Sequence, residues 1–372
     1  MLKVLEPASL CGMELHNRFV RSATMEGMAD PEGAVTGDFV KAYEDLAAGK
    51  VGLIVTSAAY VSIAGKSLHN QVGIHNDEMI AGLRRVADVA HRHGSKIVPQ
   101  LSHAGGMSSY LFKEGKAALA PSVIKGRQPQ RELTEDDLEQ IIEEFALAAV
   151  RSRLAGFDGV QLHGGHGTLL PQLLSPHGNF RQDRWGGSLA NRCRFHLELI
   201  RRVRAAVGAD YPLMMKFGVV DDKPEGLTLD DGIATLKAMA GIGLNAVEIS
   251  GGMGSGKLGY SRVVNDDINE DVYYRERTAA AKRATSIPVI MVGGIRYLET
   301  AEEILDSGDA DFISISRPLV REPDLIRRWT SGDYKRARCI SCNKCITSAT
   351  TGDPLECGED RRIREEQGAA SS

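Results

Sequence analysis

The feature that most constrains this chain is an eightfold alternation. Short apolar runs of β type occur at Phe19–Ala23, Gly52–Ser57, Lys96–Leu101, Gly159–His163, Leu213–Phe217, Ala246–Ser250, Val289–Val292 and Asp311–Ser316, and each is followed by a segment of helical period. Eight such units in 372 residues predict an α/β chain folded as a (β/α)8 TIM barrel. The helices between them carry start signals. Thr134 precedes Glu135, Asp136 and Asp137, and Thr228 precedes Leu229, Asp230 and Asp231, as an N-cap with an acidic first turn requires. Between Asp77 and His93, Ile80, Leu83, Val86, Val89 and Ala90 recur at helical spacing, which predicts one apolar face lying on the barrel. Two connections are long, Ser102–Arg131 and Gly164–Asn191, and are expected to cover the substrate. The barrel is expected to occupy residues 1–335, and residues 336–372 to form a cysteine-containing extension whose last residues, 368–372, are a disordered tail.

Forty glycines in 372 residues are about 11%, against a usual 7% or so, and the excess falls in pairs beside the strand runs. Barrels of this kind place their active site at the carboxyl ends of the strands, so glycine pairs there predict loops packed closely on a ligand. A net charge of −4 with both signs interspersed gives no basic footprint for nucleic acid or an anionic membrane. No apolar run approaches a bilayer span and Met1–Pro7 lacks a signal-peptide core, so a cytoplasmic location is expected.

At the strand ends stand Ser22, Thr24, Ser57, Gln100, His103, His163, His166, Lys216, the pairs Gly251-Gly252 and Gly293-Gly294, and Ser316-Arg317. Glycines after the seventh strand and an arginine after the eighth suit a phosphate, held by backbone N–H groups and a cation. Gln100 both donates and accepts, which suits a ring bearing an imide N–H and carbonyls. Lys216 suits negative charge accumulating on that ring during reduction. The ligand these residues describe is flavin mononucleotide, FMN. His163 and His166 lie in Asp158-Gly159-Val160-Gln161-Leu162-His163-Gly164-Gly165-His166-Gly167, and a neutral imidazole pair can hold and polarise a substrate oxygen. A hydrogen-bonded structural histidine and a metal-ligand pair are the competing readings of those two residues.

Asn17-Arg18-Phe19-Val20-Arg21-Ser22-Ala23, Gln100-Leu101-Ser102-His103-Ala104-Gly105, the Asp158–Gly167 run, Leu174-Ser175-Pro176, Trp185-Gly186-Gly187-Ser188-Leu189-Ala190-Asn191-Arg192 and Val292-Gly293-Gly294-Ile295, taken in order, resemble the old yellow enzyme family. The pattern is nearest to single-domain relatives of 2,4-dienoyl-CoA reductase, over residues 3–345. The resemblance implies an FMN-dependent ene-reductase that takes hydride from NADH or NADPH to a C=C bond activated by a carbonyl or thioester. It places Ala23, Thr24, Met25 and Ala58 against the flavin, Gln100 on its pyrimidine edge, and Lys216 near N1 and O2. Gly293, Gly294, Ser316 and Arg317 fall where the phosphate is held, and His163 with His166 where the substrate oxygen binds. A homo-oligomer is compatible with that pattern.

Three departures matter. Thr168 stands where the family commonly has a proton-donating tyrosine, so either Tyr60, Tyr110 or a water takes that role or the reaction is not simple enone reduction. Gly106 replaces an arginine common among relatives. Cys339, Cys342, Cys345 and Cys357 are spaced as thiolates that hold an iron–sulfur cluster, and resemble the 4Fe-4S segment of larger relatives; zinc or an unmetallated remnant are the alternatives. With a cluster, the chain reads instead as a flavin/iron–sulfur electron-transfer component that needs a redox partner protein. Gly251-Gly252-Met253-Gly254-Ser255-Gly256-Lys257 imitates a P-loop, but Leu258 follows the lysine where a Ser or Thr is required.

Overall fold

A computed structural model describes residues 2–253, 272–346 and 354–370. Eight strands run at β1 Phe19–Arg21, β2 Leu53–Tyr60, β3 Lys96–Ser102, β4 Val160–Gly164, β5 Leu213–Gly218, β6 Ala246–Ser250, β7 Val289–Val292 and β8 Phe312–Ile315. All eight pair in parallel with their sequence neighbours, and β8 pairs with β1 to close the barrel. The expected (β/α)8 barrel is therefore the observed fold. Strand limits differ from expectation by three residues or fewer, β2 being longest because a bulge between Val55 and Ala58 carries its pairing on to Tyr60.

Helices α1 Gly37–Ala48, α2 Met79–Arg92, α3 Glu135–Leu154, α4 Leu189–Val207, α5 Leu229–Ala240, α6 Arg275–Ala284 and α7 Leu298–Asp306 follow the first seven strands, and the short α8 Arg317–Arg321 and α9 Leu325–Thr330 follow the eighth. Thr134 is the N-cap expected of it and completes a capping box, taking the Asp137 N–H while the Asp137 carboxylate takes its own. Thr228 caps α5 through the Asp231 N–H. On α2, Leu83, Val86, Val89 and Ala90 are buried as their spacing predicts, while Ile80 is only half-buried against the core; each large aliphatic contributes about 1.5–3 kcal/mol on full burial.

One element lies outside the sequence reading. Ala8–Leu10 and Met13–Leu15 form an antiparallel hairpin, and Leu10, Met13 and Leu15 pack on Val20, Leu53, Val98, Met214, Ile290 and Phe312 inside the barrel. Its turn sets Cys11 at φ 54° and Gly12 at φ 82°, the left-handed pair of a type I′ turn. The plug fills one end of the barrel and leaves the other for the site. Of the two long connections, the first folds into Gly105–Met107, Ser109–Lys113 and a parallel strand pair, Ala118–Ala120 with Gln130–Glu132. The second holds a helix at Leu169–Leu174. Beyond α9, helix α10 spans Gly358–Ala370, so the expected disordered tail is helical as far as Ala370. Gly254–Lys257 of the P-loop imitation lie outside the described residues.

Candidate flavin and substrate site

A cavity of about 470 Å³ opens at the carboxyl ends of the strands, within the usual range for a cofactor pocket. Ala23, Thr24, Met25, His166, Lys216, Gly293, Gly294, Ser316 and Arg317 all line it. Ala58, Gln100 and His163 do not; His163 touches the lining His166, whereas Gln100 is joined to the lining residues only through Gln161 and Glu248. His163 and His166 meet edge to face with centroids 5.3 Å apart. His166, at φ 60°, turns its Nε2 to within 2.8 Å of the Ser250 hydroxyl. His163 Nδ1 is buried with no partner among the described residues, a polar atom that a ligand would satisfy. Burial, reinforced by the Lys216 charge, lowers His163 to about 3 and holds His166 well below the usual imidazole range. Both rings are therefore neutral at pH 7.

Strand register builds the polar floor. His163, Lys216 and Glu248 are successive partners across β4, β5 and β6. Glu248 is fully buried and accepts from four side chains: Lys216 Nζ at 3.0 Å, Ser22 Oγ at 2.7 Å, Ser314 Oγ at 2.9 Å and Gln161 Nε2 at 2.9 Å. An ionised carboxylate can only accept, so Gln161 must offer its amide nitrogen. Its oxygen then takes Gln100 Nε2 at 2.7 Å. Gln100 is thereby left with its oxygen to present, the polarity that a ring N–H requires.

At the other end of the cavity the cradle is steric. Gly293 has φ +111°, and a Cβ there would come within 2.7 Å of the Tyr273 ring. Thr24 Oγ1 lies 2.7 Å from Ser316 Oγ. Arg317 Nη1 donates to the Ser341 carbonyl at 3.2 Å and to Asn343 Oδ1 at 2.6 Å. Apolar walls at Ala23, Met25, Val292 and Ile295, an ammonium at one end and an arginine with paired glycines at the other fit a flat ring with a phosphate tail. These residues fit FMN.

The departures also find places. Thr168 lines the cavity, and its hydroxyl is shared between the carbonyls of His163 at 3.0 Å and Gly165 at 2.9 Å. Tyr60 donates to the Glu32 carbonyl at 2.6 Å and stacks on His75, while Tyr110 faces Lys66 and His69. Neither lines the cavity; Tyr273 and Tyr274 do. Gly106 has no room for a side chain, because a Cβ would lie 2.9 Å from Ala120 and 2.5 Å from the Gln130 amide.

Cys339, Cys342, Cys345 and Cys357 are free thiols lining one small neighbouring cavity. Burial pushes Cys345 up to about 11 and raises Cys339. Among the described residues no group of three or more His, Cys, Asp or Glu has the arrangement a metal ion needs. Four thiols gathered on one small cavity fit an iron–sulfur cluster in the kind and number of their donors. Sequence reasoning did not anticipate that Ser341, Cys345, Ile346 and Leu355 also form one wall of the larger cavity, nor that Glu248 and Gln161 underlie its floor. No helix among the described residues is long and apolar enough to cross a membrane.

Residues 3–336 match the NADH:flavin oxidoreductase / NADH oxidase family. The chain belongs to that family, the old yellow enzyme family of flavin-dependent NAD(P)H oxidoreductases, and membership implies FMN and a reduced nicotinamide. It is 36% identical over 335 residues to an NADH oxidase of Thermoanaerobacter brockii, covering 88% of this chain and 51% of that protein. It is 36% identical over 326 residues to an NADPH dehydrogenase of Geobacillus sp., covering 86% and 91%. In fold it is similar to a 2-naphthoyl-CoA reductase, with a TM-score of 0.88 at 23% identity over 95% of this chain and 56% of that one. The chain spans about half the length of several curated relatives that it matches.

Proposed function

We propose that this chain is an ene-reductase that reduces a C=C bond conjugated to a carbonyl or thioester. The observation that carries this reading is the joining, in one cavity, of a neutral imidazole, the Lys216 ammonium and the Gly293-Gly294 and Arg317 cradle. FMN, when bound, supplies hydride transfer between a reduced nicotinamide and the alkene. Ala23, Met25, Val292 and Ile295 would flank its ring, Gln100 would accept from it, and Arg317 with Gly293 and Gly294 would hold its phosphate. Lys216 places positive charge beside the ring, where it is most effective once negative charge accumulates. His166, which lines the cavity, and His163 directly behind it, with its Nδ1 unpartnered, would each offer an N–H toward one substrate oxygen. Because both are neutral, they withdraw electron density without surrendering a proton, and leave the β-carbon of the alkene open to attack. The cavity tyrosines, Tyr273 and Tyr274, and solvent are the remaining sources of the α-proton.

The test is stopped-flow oxidation of the reduced, FMN-loaded chain by a 2-enone. Rapid oxidation is expected, and His163→Ala and His166→Ala should each weaken enone binding by about 1–3 kcal/mol, one lost polar partner, with FMN retained. Unchanged affinity in both variants would remove the oxygen-binding assignment, and failure of every enone and enoyl thioester would remove the substrate class. A second reading, a cluster in the cysteine pocket exchanging electrons with a partner protein, rests on Cys345, which lines both cavities. Iron and sulfide analysis after anaerobic purification decides it.

A further inference from the structure

Lys216 is 3% exposed and Glu248 0%, deep in the barrel mouth. The two are not equivalent with respect to the cavity. Lys216, Ser22 and Ser314 all line it, whereas Glu248 lies behind them and touches each. The pair is thus an oriented dipole, ammonium forward and carboxylate behind. Burial pushes the Glu248 carboxyl up, but the Lys216 charge and the hydrogen bonds from Ser22, Lys216 and Gln161 outweigh it and hold the group below its usual range. It is ionised throughout the neutral range. His163 and His166, the other titratable groups that feel Lys216, are neutral and do not compensate the ammonium.

We propose that Glu248 is a positioning residue for the flavin reaction: its carboxylate aims the Lys216 ammonium at the cavity and offsets part of its charge, so that this ion pair sets how readily the bound flavin accepts electrons. The inference rests on the flavin reading of the cavity. In a dry interior a charge a few ångströms away is weakly screened, so removing either partner leaves an uncompensated charge beside the ring. Without Glu248 the ring faces a net positive charge, and electrons arriving on it are stabilised more. Without Lys216 it faces a net negative charge, and they are stabilised less. A carboxylate with a purely architectural role would leave that balance unchanged, because glutamine has nearly the same shape and keeps one accepting oxygen.

The experiment is the reduction potential of bound FMN, measured by dye equilibration in the holoenzyme at pH 7, for the parent chain and for Glu248→Gln, Lys216→Met and the double variant. Glu248→Gln should raise the equilibrium constant for two-electron reduction about tenfold, which is about 30 mV for such a couple. Lys216→Met should lower it, and the double variant should return toward the parent. A potential in Glu248→Gln equal to that of the parent overturns the proposal. Thermal midpoints of the same four chains, read without flavin, serve where a variant loses its cofactor. Lys216→Met strands a buried carboxylate and should melt earlier, and adding Glu248→Gln should restore several degrees. Additive losses in that cycle also overturn the pairing. A parent chain that binds no FMN sinks the flavin reading, while the stability cycle still reports on the pair itself.

Discussion

Thr168 departs from its family's pattern, and its surroundings say what the hydroxyl does. The proton is shared between the carbonyls of His163 and Gly165, so it ties down the turn that presents the histidine pair and is not held toward the cavity. Thr168→Val should therefore lower stability by about 1 kcal/mol, the usual net value of such a bond, yet leave oxidation of the reduced flavin by a 2-enone within a few-fold of the parent rate. A hundredfold loss in stopped flow, with FMN content intact, would assign the hydroxyl a proton-relay role instead. His196 is a second informative residue, buried in α4 with neither ring nitrogen partnered among the described residues. Burial lowers it to about 4. His196→Leu should leave stability at pH 7 within about 1 kcal/mol, because it removes a desolvated polar ring at similar volume; a loss of several kcal/mol would show that a bound water satisfies the imidazole.

At the scale of elements, Arg317 links two parts of the chain that sequence treats separately. Its guanidinium leaves the start of α8, lines the flavin cavity, and hydrogen-bonds to Ser341 and Asn343 in the cysteine segment. Arg317→Ala should lower FMN retention through dialysis and, in the same sample, speed alkylation of Cys339 and Cys345, which are buried in the intact chain. Flavin absorbance and mass spectrometry read the two effects. Unaltered labelling would mean that the segment is held by other contacts. The barrel strands were legible because eight apolar runs with helical spacers admit few other folds, and the strand-end residues were legible because that fold has one active end. Glu248 was not. In Val247-Glu248-Ile249 a lone acid within an apolar strand reads as a solvent-facing position, whereas a closed barrel buries both faces. The hairpin plug escaped notice for a local reason, since Cys11-Gly12 lacks the Asn or Asp that usually announces such a turn.

For the molecule as a whole, pH dependence follows from its buried imidazoles. His103 and His196 lie near 4 and His163 near 3, all through burial first. Each stays neutral in the folded chain while its unfolded counterpart takes up a proton below about pH 6.5. Folded-state values below the unfolded one mean stability is full above pH 6.5 and declines as pH falls toward 4. At pH 5 the loss should be about 2 kcal/mol for each imidazole, visible as a falling thermal midpoint between pH 7 and 5 that His196→Leu partly flattens. A midpoint constant over that range would show these rings protonated or hydrated in the fold. The cavity wall formed by Ser341, Cys345, Ile346 and Leu355 has a different kind of consequence. Those residues lie past the eighth unit, beyond residues 3–336 that the family model matches. Changes confined to that appendix can therefore reshape the pocket while the repeating scaffold is untouched, and a fragment trimmed to the matched stretch should fold as a barrel yet hold its cofactor in a basin with one side missing.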